Sequence, residues 1–146
     1  MTATDRLLPV LVAIVYGACI VAAWGLTSLA TDTDVIRYPD AGPLLGPAMG
    51  GAAVLVTLGW LLRVRGGARL RGSAVLAAVT CWAAMLVVGG VGYMLTRAAP
   101  AWLLLFAGDY AASPYLLVPA VLSALAVLAT RALTGRSPAA RSFDRR

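Results

Sequence analysis

Three uninterrupted apolar runs, each long enough to cross a lipid bilayer, dominate this chain. They cover residues 7–29, 44–62 and 73–95, and none contains a charged side chain. A bilayer core of about 30 Å needs about 20 helical residues. Of all 146 residues, 61% are apolar and only 12% are charged, which is far from the composition of a soluble domain. The sequence therefore predicts an all-α integral membrane protein.

A fourth apolar stretch, residues 101–133, is longer than one crossing needs. As a single helix it would extend about 50 Å. Asp109 and Pro114 interrupt it, and the residue before a proline is disfavoured in helical geometry. We therefore expect a fourth span over 115–133, preceded by a short interfacial or re-entrant helix over 101–107.

The arginines predict the orientation of these four spans. Two of them, Arg37 and Arg97, fall on one side, and the other ten fall on the opposite side. Because basic residues favour the cytoplasmic side, we expect two helical hairpins with cytoplasmic N and C termini in the cell inner (plasma) membrane. The basic tail, 134–146, lacks apolar periodicity and is predicted to be disordered. The arginines flank apolar runs, so the net charge of +6 does not indicate nucleic-acid binding.

Residues 28–30 also loosely fit a signal-peptide cleavage site, Ser28-Leu29-Ala30. The preceding apolar run exceeds the usual 7 to 15 residues of a signal core, so we expect the first span to be retained. Most aromatic residues fall near the predicted outer boundary, a pattern that resembles an aromatic belt. They are Trp24, Tyr38, Tyr93, Trp102, Tyr110 and Tyr115.

Closely spaced glycines in two of the spans predict helix-packing positions. Glycines four residues apart share a helix face and allow another backbone to approach. The predicted packing residues are Gly42, Gly46, Gly50, Gly89, Gly90 and Gly92. For the first three, self-association and the lining of a cavity by a broken helix are alternatives, since Pro43 and Pro47 lie among them. For the last three, a hinge is the alternative.

Asp109 is the polar residue that the sequence most clearly singles out. It lies in an apolar context, where a carboxylate needs water or a partner, and Arg97 lies on the same predicted side. We expect an outer polar site of Asp109 and Arg97. The simpler interpretation is a carboxylate that caps the fourth helix or faces water; the sharper one is an ion or proton site.

Four cytoplasmic arginines between the second and third spans are candidate contacts for anionic lipid headgroups. They are Arg63, Arg65, Arg69 and Arg71. On the other side, a loop carries Asp32, Asp34 and Asp40. Their spacing lacks the EF-hand pattern and the chain has no Glu, so we expect a solvated loop rather than a metal site.

The residue types absent from the chain argue against catalysis. It contains no His, Lys, Glu, Asn or Gln, and Cys19 and Cys81 both fall inside apolar spans. We therefore expect no enzyme activity and no cofactor. The predicted function is that of an accessory, assembly or structural partner of a membrane complex, whose contacts are the lipid bilayer, other membrane subunits or a second copy. The alternative is a small transporter or channel-like protein using Asp109, although small multidrug exporters resemble the chain only in helix number.

Several segments together resemble a family of small uncharacterised four-helix membrane proteins from high-GC bacteria. They are WGLTSL at 24–29, PDAGPLLGPAM at 39–49, and WLLLFA at 102–107 followed by Tyr110 and Ser113-Pro114. The resemblance covers most of the chain and implies the same four-span topology. It implies no activity and assigns no site residue.

Overall fold

A computed structural model describes residues 3–36, 38, 41–63 and 70–135. Within these residues all regular secondary structure is helical, with five α-helices: α1 (Ala3–Thr31), α2 (Leu45–Arg63), α3 (Leu70–Arg97), α4 (Ala101–Tyr110) and α5 (Pro114–Gly135). Four segments are long and apolar enough to span a membrane, namely Leu7–Thr31, Leu45–Arg63, Gly72–Arg97 and Pro114–Leu133. The predicted all-α class with four candidate spans is confirmed. Of the predicted tail, 134 and 135 belong to α5, and 136–146 lie outside the described residues.

The four long helices form a closed bundle. Each packs against two neighbours in the order α1, α2, α3, α5 and back to α1, while α2 and α5 also meet across the middle. Along α2 the buried positions recur every fourth residue, at Met49, Ala53, Thr57 and Leu61. Large apolar side chains such as Leu55 and Val87 are exposed on the outside. A bundle with an apolar perimeter of this kind is held together in lipid by packing and hydrogen bonds rather than by the hydrophobic effect.

The short helix α4 lies against α3. Moving along α4, Leu103 faces Gly90, Phe106 faces Gly89, and Ala111 just beyond the helix reaches Trp82. Later residues of α4 thus contact earlier residues of α3, so the two helices are antiparallel. Trp82 lies about 22 Å from the end of α3 at Arg97.

α5 is antiparallel to α1, since Trp24 contacts Tyr115 and the earlier Tyr16 contacts Pro119. We call α4 and α5, which are separated by the turn at 111–113, the broken crossing. The predicted short helix over 101–107 is longer in the structure, where it runs from Ala101 to Tyr110, and its interfacial or re-entrant placement stays a prediction.

Two tryptophan side chains satisfy the backbone of this broken crossing. Pro119 has no N–H, so the carbonyl of Tyr115 lacks its helical donor, and the indole of Trp24 donates to that oxygen at 2.8 Å. At the break, the indole of Trp82 donates to the carbonyl of Ala111 at 2.8 Å. An unsatisfied carbonyl in lipid costs several kcal/mol, so these indoles from α1 and α3 stabilise the interruption.

Candidate functional site

Five aromatic residues pack together where the α1–α2 loop, the end of α3 and α4 meet. This aromatic cluster comprises Tyr38, Tyr93, Trp102, Phe106 and Tyr110. Tyr38 stacks on Tyr93 with ring centroids 4.6 Å apart, and Phe106 stacks on Tyr110 at 4.4 Å. Trp102 meets the Tyr93 ring edge-on at 5.5 Å.

Tyr93, Tyr110 and Tyr115, which the sequence places in an aromatic belt, are all buried inside the bundle and do not face lipid. Tyr115, on α5, donates its hydroxyl to the carbonyl of Thr33 at 2.7 Å. The rings turn inward because the glycines of α3 let α4 approach closely enough for them to fill the space between the helices.

Asp109 is exposed and accepts a hydrogen bond from the hydroxyl of Tyr38. This hydrogen bond raises the pKa of Tyr38 to about 12, because ionised Tyr38 would lose the bond and face the carboxylate. The predicted partner, Arg97, instead places its guanidinium over the Trp102 ring, 5.0 Å from the centroid. Arg97 lies beside the start of α4, whereas Asp109 lies about 10 Å further along that helix. Asp109 therefore pairs with Tyr38, and Arg97 with the Trp102 ring. A shared outer site of Asp109 and Arg97 stays a prediction.

Tyr38 forms a wall shared by two recesses. We call the smaller the Asp109 recess; it encloses about 430 Å³ and is lined by Tyr38, Asp109, Tyr110, Ala112, Ser113 and Pro114. The larger, the loop recess, encloses about 670 Å³ and is lined by Val21, Trp24, Asp34, Val35, Ile36, Tyr38, Gly42, Pro43, Gly46 and Pro47. Each recess has one carboxylate, and among the described residues neither has a basic side chain in its lining.

The six predicted packing glycines divide into two groups. A Cβ atom at Gly89 would lie 2.6 Å from the Phe106 ring, one at Gly90 would lie 3.4 Å from Leu103, and one at Gly92 would collide with Leu45. These three glycines therefore all face a neighbouring helix; Gly89 and Gly92 are closely packed, against α4 and the first residue of α2, and Gly90 makes an ordinary contact with α4.

The other three glycines behave differently. Gly42 precedes α2 with a φ of +72°, which favours glycine, and has open space around its Cα, so it serves a turn and not helix packing. Gly46 makes only an ordinary contact with Ile36, whereas a Cβ atom at Gly50 would lie 3.3 Å from the Trp24 indole, so Gly50 is a close contact between α2 and α1. Gly42 and Gly46 line the loop recess, because α2 begins only at Leu45.

The predicted lipid-binding arginines are only partly described. Arg63 is exposed at the end of α2. Arg65 and Arg69 lie outside the described residues, and so does the side chain of Arg71, whose backbone belongs to the first turn of α3. Contact with anionic lipid at these four residues stays a prediction.

A second polar region, which we call the central polar layer, lies inside the bundle and consists of Tyr16, Thr57, Cys81 and Ser123. Tyr16 donates its hydroxyl to the carbonyl of Pro119 at 2.9 Å and lies 3.2 Å from the Cys81 sulfur. Thr57 and Ser123 share a hydrogen bond of 2.8 Å. The layer links all four long helices, and sequence reasoning missed it. The available signal was the presence of hydroxyl side chains in the middle of apolar spans, where each one needs a partner.

Within the described part of the chain, no three His, Cys, Asp or Glu residues cluster as a metal would require. No curated protein and no solved structure matches this chain. A family model described as "Family of unknown function (DUF6121)" matches residues 1–144. This agrees with the resemblance to uncharacterised proteins. With nearly its whole length matched, the chain belongs to the DUF6121 family of unknown function.

Proposed function

We propose that the protein is a multi-pass protein of the bacterial inner (plasma) membrane that acts as an accessory or assembly partner of a membrane complex. Ten of the twelve arginines fall on one side of the four spans, which supports cytoplasmic N and C termini. In this role the protein binds other subunits and catalyses no reaction, which agrees with the absence of His, Lys and Glu from the chain.

The packed interior is the observation that carries the proposal. Leu61, Met85, Phe106, Leu116 and Val127 have no exposed surface at all. The central polar layer uses its hydroxyl groups for hydrogen bonds between helices. An interior filled in this way favours a static role over conduction, and it leaves the apolar perimeter as the surface for lipid or for helices of other subunits.

Photo-crosslinking in the native membrane tests this proposal. A photoreactive residue is introduced at Leu11, Leu55 or Val79, which are exposed on α1, α2 and α3, and at buried Met85 as the control. We expect a discrete protein adduct from at least one perimeter position and none from Met85, with the same partner copurifying in mild detergent. Lipid adducts alone at every perimeter position, together with recovery of an isolated monomer, would contradict an accessory role.

Orientation has its own test. Reporter fusions at the C-terminus and in the α1–α2 loop are expected to report the cytoplasm and the opposite side respectively. The reverse pattern would overturn the predicted topology.

The exposed carboxylate of the Asp109 recess favours a second candidate, a small transporter that uses Asp109. If this is correct, purified protein in liposomes should carry a proton or cation flux that Asp109→Asn abolishes and Asp34→Asn leaves intact. Asp34 is the matched control because it is an exposed carboxylate in the neighbouring recess. Flux equal to that of empty liposomes would eliminate this candidate.

A further inference from the structure

The Asp109 recess has the size and shape of a small-molecule site. Its volume of about 430 Å³ lies within the range of about 300 to 1,000 Å³ that ligand pockets occupy. We propose that this recess binds a small organic cation through a quaternary or primary ammonium group. The proposal is independent of an accessory or a transport role, because it concerns binding alone.

The charge of the recess favours a cation. Asp109 is its only charged side chain among the described lining residues, and it is exposed. The hydrogen bond from Tyr38 goes to one carboxylate oxygen, Oδ2. A carboxylate has about four acceptor sites on its two oxygens, so Asp109 keeps the capacity to accept from an ammonium N–H or to attract a quaternary nitrogen.

Two aromatic residues line the recess beside Ala112, Ser113 and Pro114. They are Tyr38 and Tyr110, whose ring centroids lie 5.8 Å apart with the planes tilted by 46°. Aromatic faces attract ammonium and guanidinium groups. The same aromatic cluster already binds one cation in this way, since Arg97 lies 5.0 Å from the Trp102 centroid and 5.9 Å from that of Tyr93.

The walls are held in place before any ligand arrives. Tyr38 is fixed by its stacking on Tyr93 and by its hydrogen bond to Asp109, and Tyr110 is fixed by its stacking on Phe106. Preorganised walls reduce the entropic cost of binding.

The donor set also discriminates between kinds of cation. Ca²⁺ takes six to eight oxygen ligands and Mg²⁺ takes six. The described lining supplies a single carboxylate beside aromatic rings, which suits an organic ammonium better than a metal ion.

Choline binding to the purified full chain in an uncharged detergent tests the proposal, measured by calorimetry. The second probe is the uncharged carbon isostere of choline, in which carbon replaces the quaternary nitrogen. The variants are Asp109→Asn, which keeps the shape and an acceptor for Tyr38, and Asp34→Asn as the control. Thermal unfolding of each variant checks that it is folded.

We expect saturable choline binding that weakens about tenfold or more in Asp109→Asn and is unchanged in Asp34→Asn, with the isostere binding about tenfold more weakly. Three results would each overturn the proposal: no saturable binding of choline, equal binding by folded Asp109→Asn, or equal binding of the isostere.

The same titration in nanodiscs identifies the source of the cation. Weaker apparent choline binding in phosphatidylcholine discs than in discs of an uncharged glycolipid would support the site and assign the cation to a lipid headgroup. Equal binding in the two discs would support a free solute.

Discussion

The central polar layer and the aromatic cluster use polar atoms in opposite ways. In the central layer, Tyr16 donates to Pro119, and Thr57 and Ser123 bond to each other. Beside the aromatic cluster, Asp109 can still accept a hydrogen bond from a group in the Asp109 recess. Within the cluster, the buried hydroxyl of Tyr93 has no hydrogen-bond partner among the described residues. A satisfied interior layer serves stability, whereas spare polar capacity beside a cavity serves recognition. Substitutions that act differently on the two regions test this contrast.

The largest loss of stability is expected from Gly89→Leu, where α4 packs against α3. A Cβ atom there would lie 2.6 Å from Phe106 and 2.9 Å from Met49, so a larger side chain would force α4 away from α3. We expect a loss of about 3 kcal/mol or more in unfolding free energy, measured by denaturation in detergent. Gly51→Leu is the control, because nothing lies within 4 Å of a Cβ at that position. Equal stability of the two variants would mean that α4 does not dock on α3 as described.

The second-largest loss of stability is expected in the broken crossing, where Trp82 bonds to the main chain. Trp82→Phe removes the donor to the Ala111 carbonyl, and we expect a loss of about 2 kcal/mol for the unsatisfied acceptor. Trp60→Phe is the matched control, because the Trp60 indole donates to Thr80 Oγ1 at an exposed position and not to a main-chain carbonyl. Thermal melting in the same detergent compares them. A loss in Trp60→Phe as large as that in Trp82→Phe would argue that lost ring volume, rather than the carbonyl, sets the cost.

A smaller pair of changes compares the two regions directly. Tyr16→Phe removes a satisfied hydroxyl from the central polar layer and should cost about 1 kcal/mol. Tyr93→Phe removes the buried hydroxyl of the aromatic cluster and should be neutral or stabilising, since that group lost its water on burial. Chemical denaturation measures the change in unfolding free energy for each variant. If Tyr93→Phe were the more damaging change, the contrast between the regions would be wrong.

The smallest expected effect is a pH dependence confined to the loop. The folded pKa of Tyr38 is about 12, above the ordinary value of 10.0, so its hydrogen bond to Asp109 contributes fully below pH 10. That contribution is lost as pH rises from 10 through 12. We expect the stability difference between the wild type and Tyr38→Phe to shrink over this interval. A difference that stays constant across it would show that the bond does not form in solution.

Hydropathy and one proline were sufficient to predict most of the backbone. The four spans follow from apolar run lengths, and Pro114 marks the break before α5. The end of α4 at Tyr110 did not follow, because the local hydrogen bond from Ser113 N–H to the Tyr110 carbonyl sets it and no periodicity encodes that bond.

The candidate site was less accessible to sequence reasoning. Asp109 was identified from its apolar surroundings, but its partner Tyr38 is 71 positions away along the chain. Apolar composition also cannot distinguish a side chain that faces lipid from one that faces a neighbouring helix, since the two environments are equally apolar. For this reason Tyr93 and Tyr110 were assigned to a belt when they are buried.

The indoles of Trp24 and Trp82 also constrain how the protein is made. The carbonyls that they satisfy, at Tyr115 and Ala111, belong to a segment that is synthesised after the helices carrying the indoles. The broken crossing therefore becomes fully hydrogen-bonded only when it packs against α1 and α3, and a chain that lacks either helix would leave its carbonyls unsatisfied in the lipid.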